Sequence, residues 1–156
     1  MPTKFLKGDM FATQPELNGT VIEAYCHGSN CIGVMGAGVA LLFKRKYPAM
    51  YKEYHERCIK GEFFGGDCMT YNKPKLYKQV IFNMFSQEKP GPNASYEWLQ
   101  KSFQKMVVSA KLLGITKIAM PLIGAGIGGL DPEKVKEMFQ KFGNDIPDLE
   151  FYVFEL

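Results

Sequence analysis

Two stretches of this chain have the composition of an anion cradle. The first runs His27-Gly28-Ser29-Asn30-Cys31-Ile32-Gly33-Val34-Met35-Gly36-Ala37-Gly38. The second is Gly124-Ala125-Gly126-Ile127-Gly128-Gly129. Glycine lets backbone amides approach a ligand with no Cβ in the way. A helix that starts straight after such a loop adds unpaired N–H groups and the positive end of its dipole. Either stretch on its own could be a tight strand-to-helix turn. Two on the same sheet edge suit a diphosphate. Gly124-x-Gly126-x-x-Gly129 also has the spacing of a dinucleotide fingerprint. That fingerprint opens a βαβ unit with more strands after it, whereas here one helix and one strand remain, so a nicotinamide dehydrogenase is not the expected function.

Other residues could act on what the loops hold. His27 is one of two histidines and stands at the exit of an expected strand, so it is a candidate acid, base or nucleophile. His55 falls mid-helix and reads as surface or packing. Asp131 could orient a water, but Asp131-Pro132 is also a well-formed helix start. The four cysteines Cys26, Cys31, Cys58 and Cys68 form no Cys-x-x-Cys pair. No histidine stands at zinc spacing from two of them, so no metal site is expected.

The elements that must position these residues alternate. Phe5-Leu6 opens a strand, and Val21 to Cys26 is a second. Val39 starts a helix after the first glycine loop, and Pro48 restarts one that runs to about Lys60, where Gly61 stops it. Asp67 to Tyr71 and Gln79 to Phe85 read as strands, and Gln87 to Ala94 as a loop. Ser95 caps a helix whose apolar face is Leu99, Phe103, Met106, Ala110 and Leu113, at helical spacing. Ile115 to Ile123 carries a strand into the second glycine loop. A helix with Val135, Met138, Phe139 and Phe142 on one face follows Asp131-Pro132. Leu149 to Phe154 is the last strand. This alternation predicts an α/β fold in three layers, a mixed, mostly parallel sheet with helices on both faces. Ligands bind such sheets at the carboxyl ends of the strands, where both glycine loops fall.

Length and composition set the frame. At 156 residues the chain fits one domain, 1–156, and buries roughly two thirds of its unfolded surface. The apolar share of 46% excludes a disordered polymer. A net charge of +3 is too mild to argue for nucleic acid. No apolar run approaches the roughly eighteen residues of a membrane span. No targeting segment stands ahead of the first strand, and the cysteines read as reduced thiols of a cytoplasmic protein. No surface stripe points to a protein partner, and the chain is expected to be a monomer.

Taken in order, Lys7-Gly8-Asp9-Met10-Phe11, then Asn30 with Gly36-Ala37-Gly38-Val39-Ala40, then Pro121-Leu122-Ile123-Gly124-Ala125-Gly126-Ile127-Gly128-Gly129, the chain resembles the macrodomain family. The resemblance extends from Phe5 to Leu156. It is strongest to two branches, the ADP-ribose 1″-phosphate phosphatases and the glycohydrolases that remove ADP-ribose from carboxylates or DNA bases. Met35 to Lys44 and the closing Val153-Phe154-Glu155-Leu156 are shared with that group. The resemblance implies ADP-ribose or its 1″-phosphate as ligand, ADP-ribosylated protein or DNA as a further partner, and no cofactor. Asp9 would accept from the adenine amino group, with Gly8 and Met10 at the adenine edge and Phe154 lining the adenosine. Asn30 would hold the distal ribose and take part in catalysis. Gly36, Ala37, Gly38 and Val39, with Ile123, Gly124, Ala125, Gly126, Ile127, Gly128 and Gly129, would hold the diphosphate. His27 matches a histidine of the phosphatases. The glycohydrolases carry a lysine just after the strand that here ends Asn83-Met84-Phe85-Ser86, and this chain has Gln87 there, which cannot form a Schiff base. The expected activity is therefore hydrolysis of ADP-ribose 1″-phosphate. Removal of ADP-ribose from macromolecules and binding without turnover are the alternatives.

Overall fold

Six strands form one sheet in the order β1-β6-β5-β2-β4-β3. The strands are β1 (Thr3–Lys7), β2 (Ala24–Gly28), β3 (Cys68–Tyr71), β4 (Val80–Met84), β5 (Lys117–Pro121) and β6 (Glu150–Glu155). The helices are α1 (Gly38–Lys46), α2 (Pro48–Ile59), α3 (Tyr96–Leu112) and α4 (Pro132–Asp145). The computed structural model describes residues 3–12, 17 and 19–155. Leu156, which ends the last shared motif, lies outside the described residues, as do Met1 and Pro2. All strand pairs are parallel except β3 with β4. The chain is thus the mixed, mostly parallel α/β sheet that the alternation predicts.

The sheet separates two cores. On one side α3 and α4 bury Leu99, Phe103, Met106, Val135 and Phe139 against Ala24, Cys26 and Ile118. On the other side α1 and α2 bury Phe43, Met50 and Tyr54 against Tyr25, Ile81 and Ala119. The start signals act as expected. Ser95 Oγ accepts from Trp98 N, and Asp131 Oδ1 accepts from Glu133 N at 3.0 Å with Pro132 opening α4. Leu113 departs from the expected face of α3. It is the C-cap, is exposed, and hands the chain to Gly114 at φ 71°.

The second strand differs in its bounds. It begins at Ala24, three residues later than the apolar run, and continues through His27 to Gly28. Pairing with β4 sets this, because His27 stands opposite Asn83 and Gly28 opposite Met84. Val21 stays exposed. Glu23 Oε1 instead accepts from the amides of Thr116 and Lys117, which ties the approach to β2 onto the start of β5.

β2 and β5 are neighbours, yet β2 feeds α1 on one face and β5 feeds α4 on the other. Their outgoing loops part over the carboxyl end of the sheet. A crevice opens there, as it does at the switch point of doubly wound sheets.

Candidate functional site

A cavity of about 630 Å³ fills that crevice, within the usual range for a small-molecule site. The first glycine loop forms one wall. It enters α1 at Gly38 with Ala37 as N-cap, no side chain caps the helix, and no acidic residue stands in its first turn. The first amides of α1 are therefore open to an anion. The second loop forms the facing wall. A 3-10 turn, Gly126–Gly128, again starts without a side-chain cap. Gly124 is required at the base of this loop. Its φ is 87°, and a Cβ there would lie 2.6 Å from Leu130 Cδ1. At Gly36 a Cβ would meet nothing within 4 Å, because it would project into open space beside the cavity.

Most of the expected ligand-binding residues come together here. Asn30, Gly36, Ala37, Gly38 and Val39 line the cavity from the first loop. Ile123, Gly124, Ala125, Gly126, Ile127 and Gly128 line it from the second, and Phe154 closes one end. Gly129 does not line it. A Cβ at Gly129 would lie 2.9 Å from Pro92, so this glycine packs the second loop on the segment after β4. Gly8, Asp9 and Met10 line a small adjoining groove that shares Val39, Pro121 and Phe154 with the cavity. Asp9 Oδ1 accepts from Phe11 N at 2.9 Å, which shapes the turn after β1.

Asn30 is buried, and its amide organises the first loop. Nδ2 donates to Val34 O at 2.8 Å, and Oδ1 accepts from Ile32 N at 3.2 Å. Tyr54 of α2 donates to Asn30 O at 2.7 Å. Burial pushes the Tyr54 hydroxyl well above the usual tyrosine range, so it stays a donor.

The two remaining catalytic candidates do not reach the cavity. His27 continues the alternation of β2, so it shares the α1 side of the sheet with Tyr25. There its ring stacks on Phe43 at 4.0 Å. Its Nε2 lies 2.7 Å from Asn83 Oδ1, an acceptor, so the proton sits on Nε2. Only 1% of His27 is exposed, and burial holds its pKa down at about 4. This is a neutral core histidine, because β2 extends two residues past the expected strand end and turns the side chain away from the ligand edge. Asp131 caps α4, and Pro132 beside it lines the cavity in its place.

Several wall residues were not singled out from the sequence. Ser29, Ser86 and Glu155 supply polar side chains, and Pro90 and Gly91 form a third wall after β4. Position offers one signal for them, since each lies at or after the carboxyl end of a strand. Gln87, noted only as the replacement for a lysine, lines the cavity and donates to Lys89 O at 2.6 Å and Gly91 O at 3.1 Å. Among the described residues Glu155 is the single ionisable side chain in the lining, and Lys136 Nζ holds it at 2.7 Å. Among the described residues no Lys or Arg lines the cavity, which leaves the open amides as the groups able to offset an anion's charge. Burial pushes the Cys31 thiol, next to Asn30, up to about 12, which favours the protonated form. Among the described residues no cluster of His, Cys, Asp or Glu could hold a metal, and no helix is long and apolar enough to cross a membrane.

Residues 26–139 match the family profile described as Macro domain. The chain is 32% identical over 135 residues to a DNA ADP-ribosyl glycohydrolase of Thermus aquaticus, a match that covers 86% of this chain and 38% of that protein. The chain therefore spans well under half the length of that relative. It is 28% identical over 166 residues to an ADP-ribose 1″-phosphate phosphatase of Lodderomyces elongisporus, covering 99% of this chain and 100% of that one. The solved macrodomain of Thermus aquaticus DarG superposes with a TM-score of 0.83 at 30% identity, over 99% of this chain and 98% of that chain.

Proposed function

Because the chain belongs to the Macro domain family, we propose that it binds ADP-ribose in the crevice and hydrolyses ADP-ribose 1″-phosphate to ADP-ribose and phosphate. In this reading the two glycine loops take the diphosphate and the groove at Asp9 and Met10 takes the adenine. The phosphatase relative supports the reaction, since it matches over its whole length. The observation that carries it is Gln87. The side chain that enters the cavity after β4 is an amide tied to its own loop, with no amine to attack an opened ribose.

With His27 buried and Asp131 capping α4, the cavity lining holds no histidine or cysteine among the described residues. Catalysis then rests on placement. The open amides hold the transferred phosphoryl group and the attacking water in line, and their dipoles offset the charge of the transition state. Water adds to phosphorus, the bond from phosphorus to the ribose oxygen breaks, and that oxygen takes up the proton.

A second reading is release of ADP-ribose from DNA, favoured by the 32% identity to the Thermus aquaticus enzyme. One experiment separates the readings. Purified protein is given ADP-ribose 1″-phosphate and, separately, ADP-ribosylated DNA, with Gly36→Val as the control. Phosphate release by the wild type and not by the control is the expected result. Turnover on the DNA alone would establish the second reading. Stoichiometric ADP-ribose binding with neither turnover would make the domain a binding module.

A further inference from the structure

The inner face of α2 carries Tyr51, Tyr54, His55 and Cys58, spaced i, i+3, i+4 and i+7. None of the four lines the cavity. All four face carbonyl oxygens of the first glycine loop. Tyr54 OH donates to Asn30 O at 2.7 Å, and Tyr51 OH donates to Gly33 O at 3.2 Å. His55 Nδ1 lies 2.8 Å from the same Gly33 oxygen. A carbonyl only accepts, so this nitrogen carries the ring proton. Cys58 Sγ stands 3.9 Å from Asn30 O. Gly33 sits so close to the helix that a Cβ would lie 3.1 Å from His55 Nδ1 and 3.2 Å from Cys58 Cβ.

Tyr54 has the shortest of these bonds, and it is fully buried. Its ring is packing, stacked on Phe85 at 6.1 Å. Its hydroxyl has a different task. The oxygen also lies 3.1 Å from Asn30 Oδ1 and 3.3 Å from Val34 O, but a hydroxyl has one proton. Asn30 O, the nearest acceptor, takes it. Asn30 in turn folds the loop over residues 30–34, and that fold delivers Gly36 and Ala37 to the start of α1.

We propose that Tyr54 is a positioning residue of the ligand site, one that acts through Asn30 to hold the first loop in the shape that meets the distal ribose and the diphosphate. This rests on the ADP-ribose reading. It also makes a selective claim, because Gly8, Asp9 and Met10 of the adenine groove follow β1, outside the loop that this clamp holds.

The test is Tyr54→Phe, which keeps the ring and removes one oxygen. Calorimetric titration with ADP-ribose and with adenosine compares a ligand that spans the loop with one that lacks the phosphates and the distal ribose. Loss of one hydrogen bond to a buried acceptor predicts about a tenfold weaker ADP-ribose Kd, with adenosine unchanged. Equal weakening of both ligands, or no change in either, overturns the proposal. Amide hydrogen exchange gives a readout that needs no ligand. Exchange over residues 31–38 should quicken in the variant while β4 and β5 keep their protection, and unchanged exchange in that segment also overturns it. A wild type that binds no ADP-ribose but shows the faster exchange in the variant would refute the functional reading and leave the clamp in place.

Discussion

His27 offers the sharpest test of the site, because its type and place in the sequence suggest chemistry and its surroundings suggest packing. The perturbation is acid, compared between the wild type and His27→Gln. Glutamine can still donate to Asn83 Oδ1, but it does not titrate. At pH 7.5 the ring is neutral in both folded and unfolded chains and contributes no pH dependence. Below pH 6.5 the unfolded chain takes up a proton that the buried ring, with its pKa held at about 4, does not. The unfolded state then binds more protons, so stability falls as pH falls, and the loss levels off below pH 4. Between pH 7.5 and pH 4.5 the His27 share is about 2–3 kcal/mol, from a slope of about 1.4 kcal/mol per pH unit. Urea unfolding at both pH values measures it. Carboxylates that also titrate, such as Glu23 and Glu150, are present in both proteins and cancel in the difference. The wild type should lose about 2–3 kcal/mol more than the variant. Equal losses would show that the ring is not buried as a neutral base. Phosphate release at pH 7.5 supplies the functional half. A folded variant that binds ADP-ribose normally but has lost turnover would return His27 to the chemistry and refute the reasoning.

Gly36→Val should leave the thermal midpoint unchanged, since its Cβ meets nothing in the fold, and should abolish ADP-ribose binding by filling ligand space, read by calorimetry. Asp131→Ala should cost about 1 kcal/mol in urea unfolding, the worth of an N-cap, with turnover kept; lost turnover at normal stability would restore Asp131 as a catalytic residue. Asp9→Ala should weaken ADP-ribose binding by about 1–3 kcal/mol, the cost of leaving a polar partner unpaired, and unchanged affinity would remove Asp9 from the site.

Local signals in the sequence were enough for the elements and for the backbone part of the site. Ser95 and Asp131-Pro132 mark helix starts by chemistry confined to one turn, and Leu99, Phe103, Met106 and Ala110 mark a buried face by spacing alone. The glycine loops are legible because an amide cradle depends on residues next to each other in the chain. Side-chain direction is a different matter. Whether His27 faces ligand or core depends on where β2 ends, and β2 ends at Gly28 because β4, more than fifty residues later, pairs with it that far. Gln87 and the Pro90-Gly91 wall belong to the cavity for the same reason. The Tyr51, Tyr54, His55, Cys58 stripe can be read as one face of a helix, but what that face meets cannot, since its partners are loop carbonyls common to every residue. Strand order is equally hidden. The two glycine loops face each other only because β5 and β2 are neighbours that send their helices to opposite sides of the sheet, and that adjacency is set by packing two cores at once.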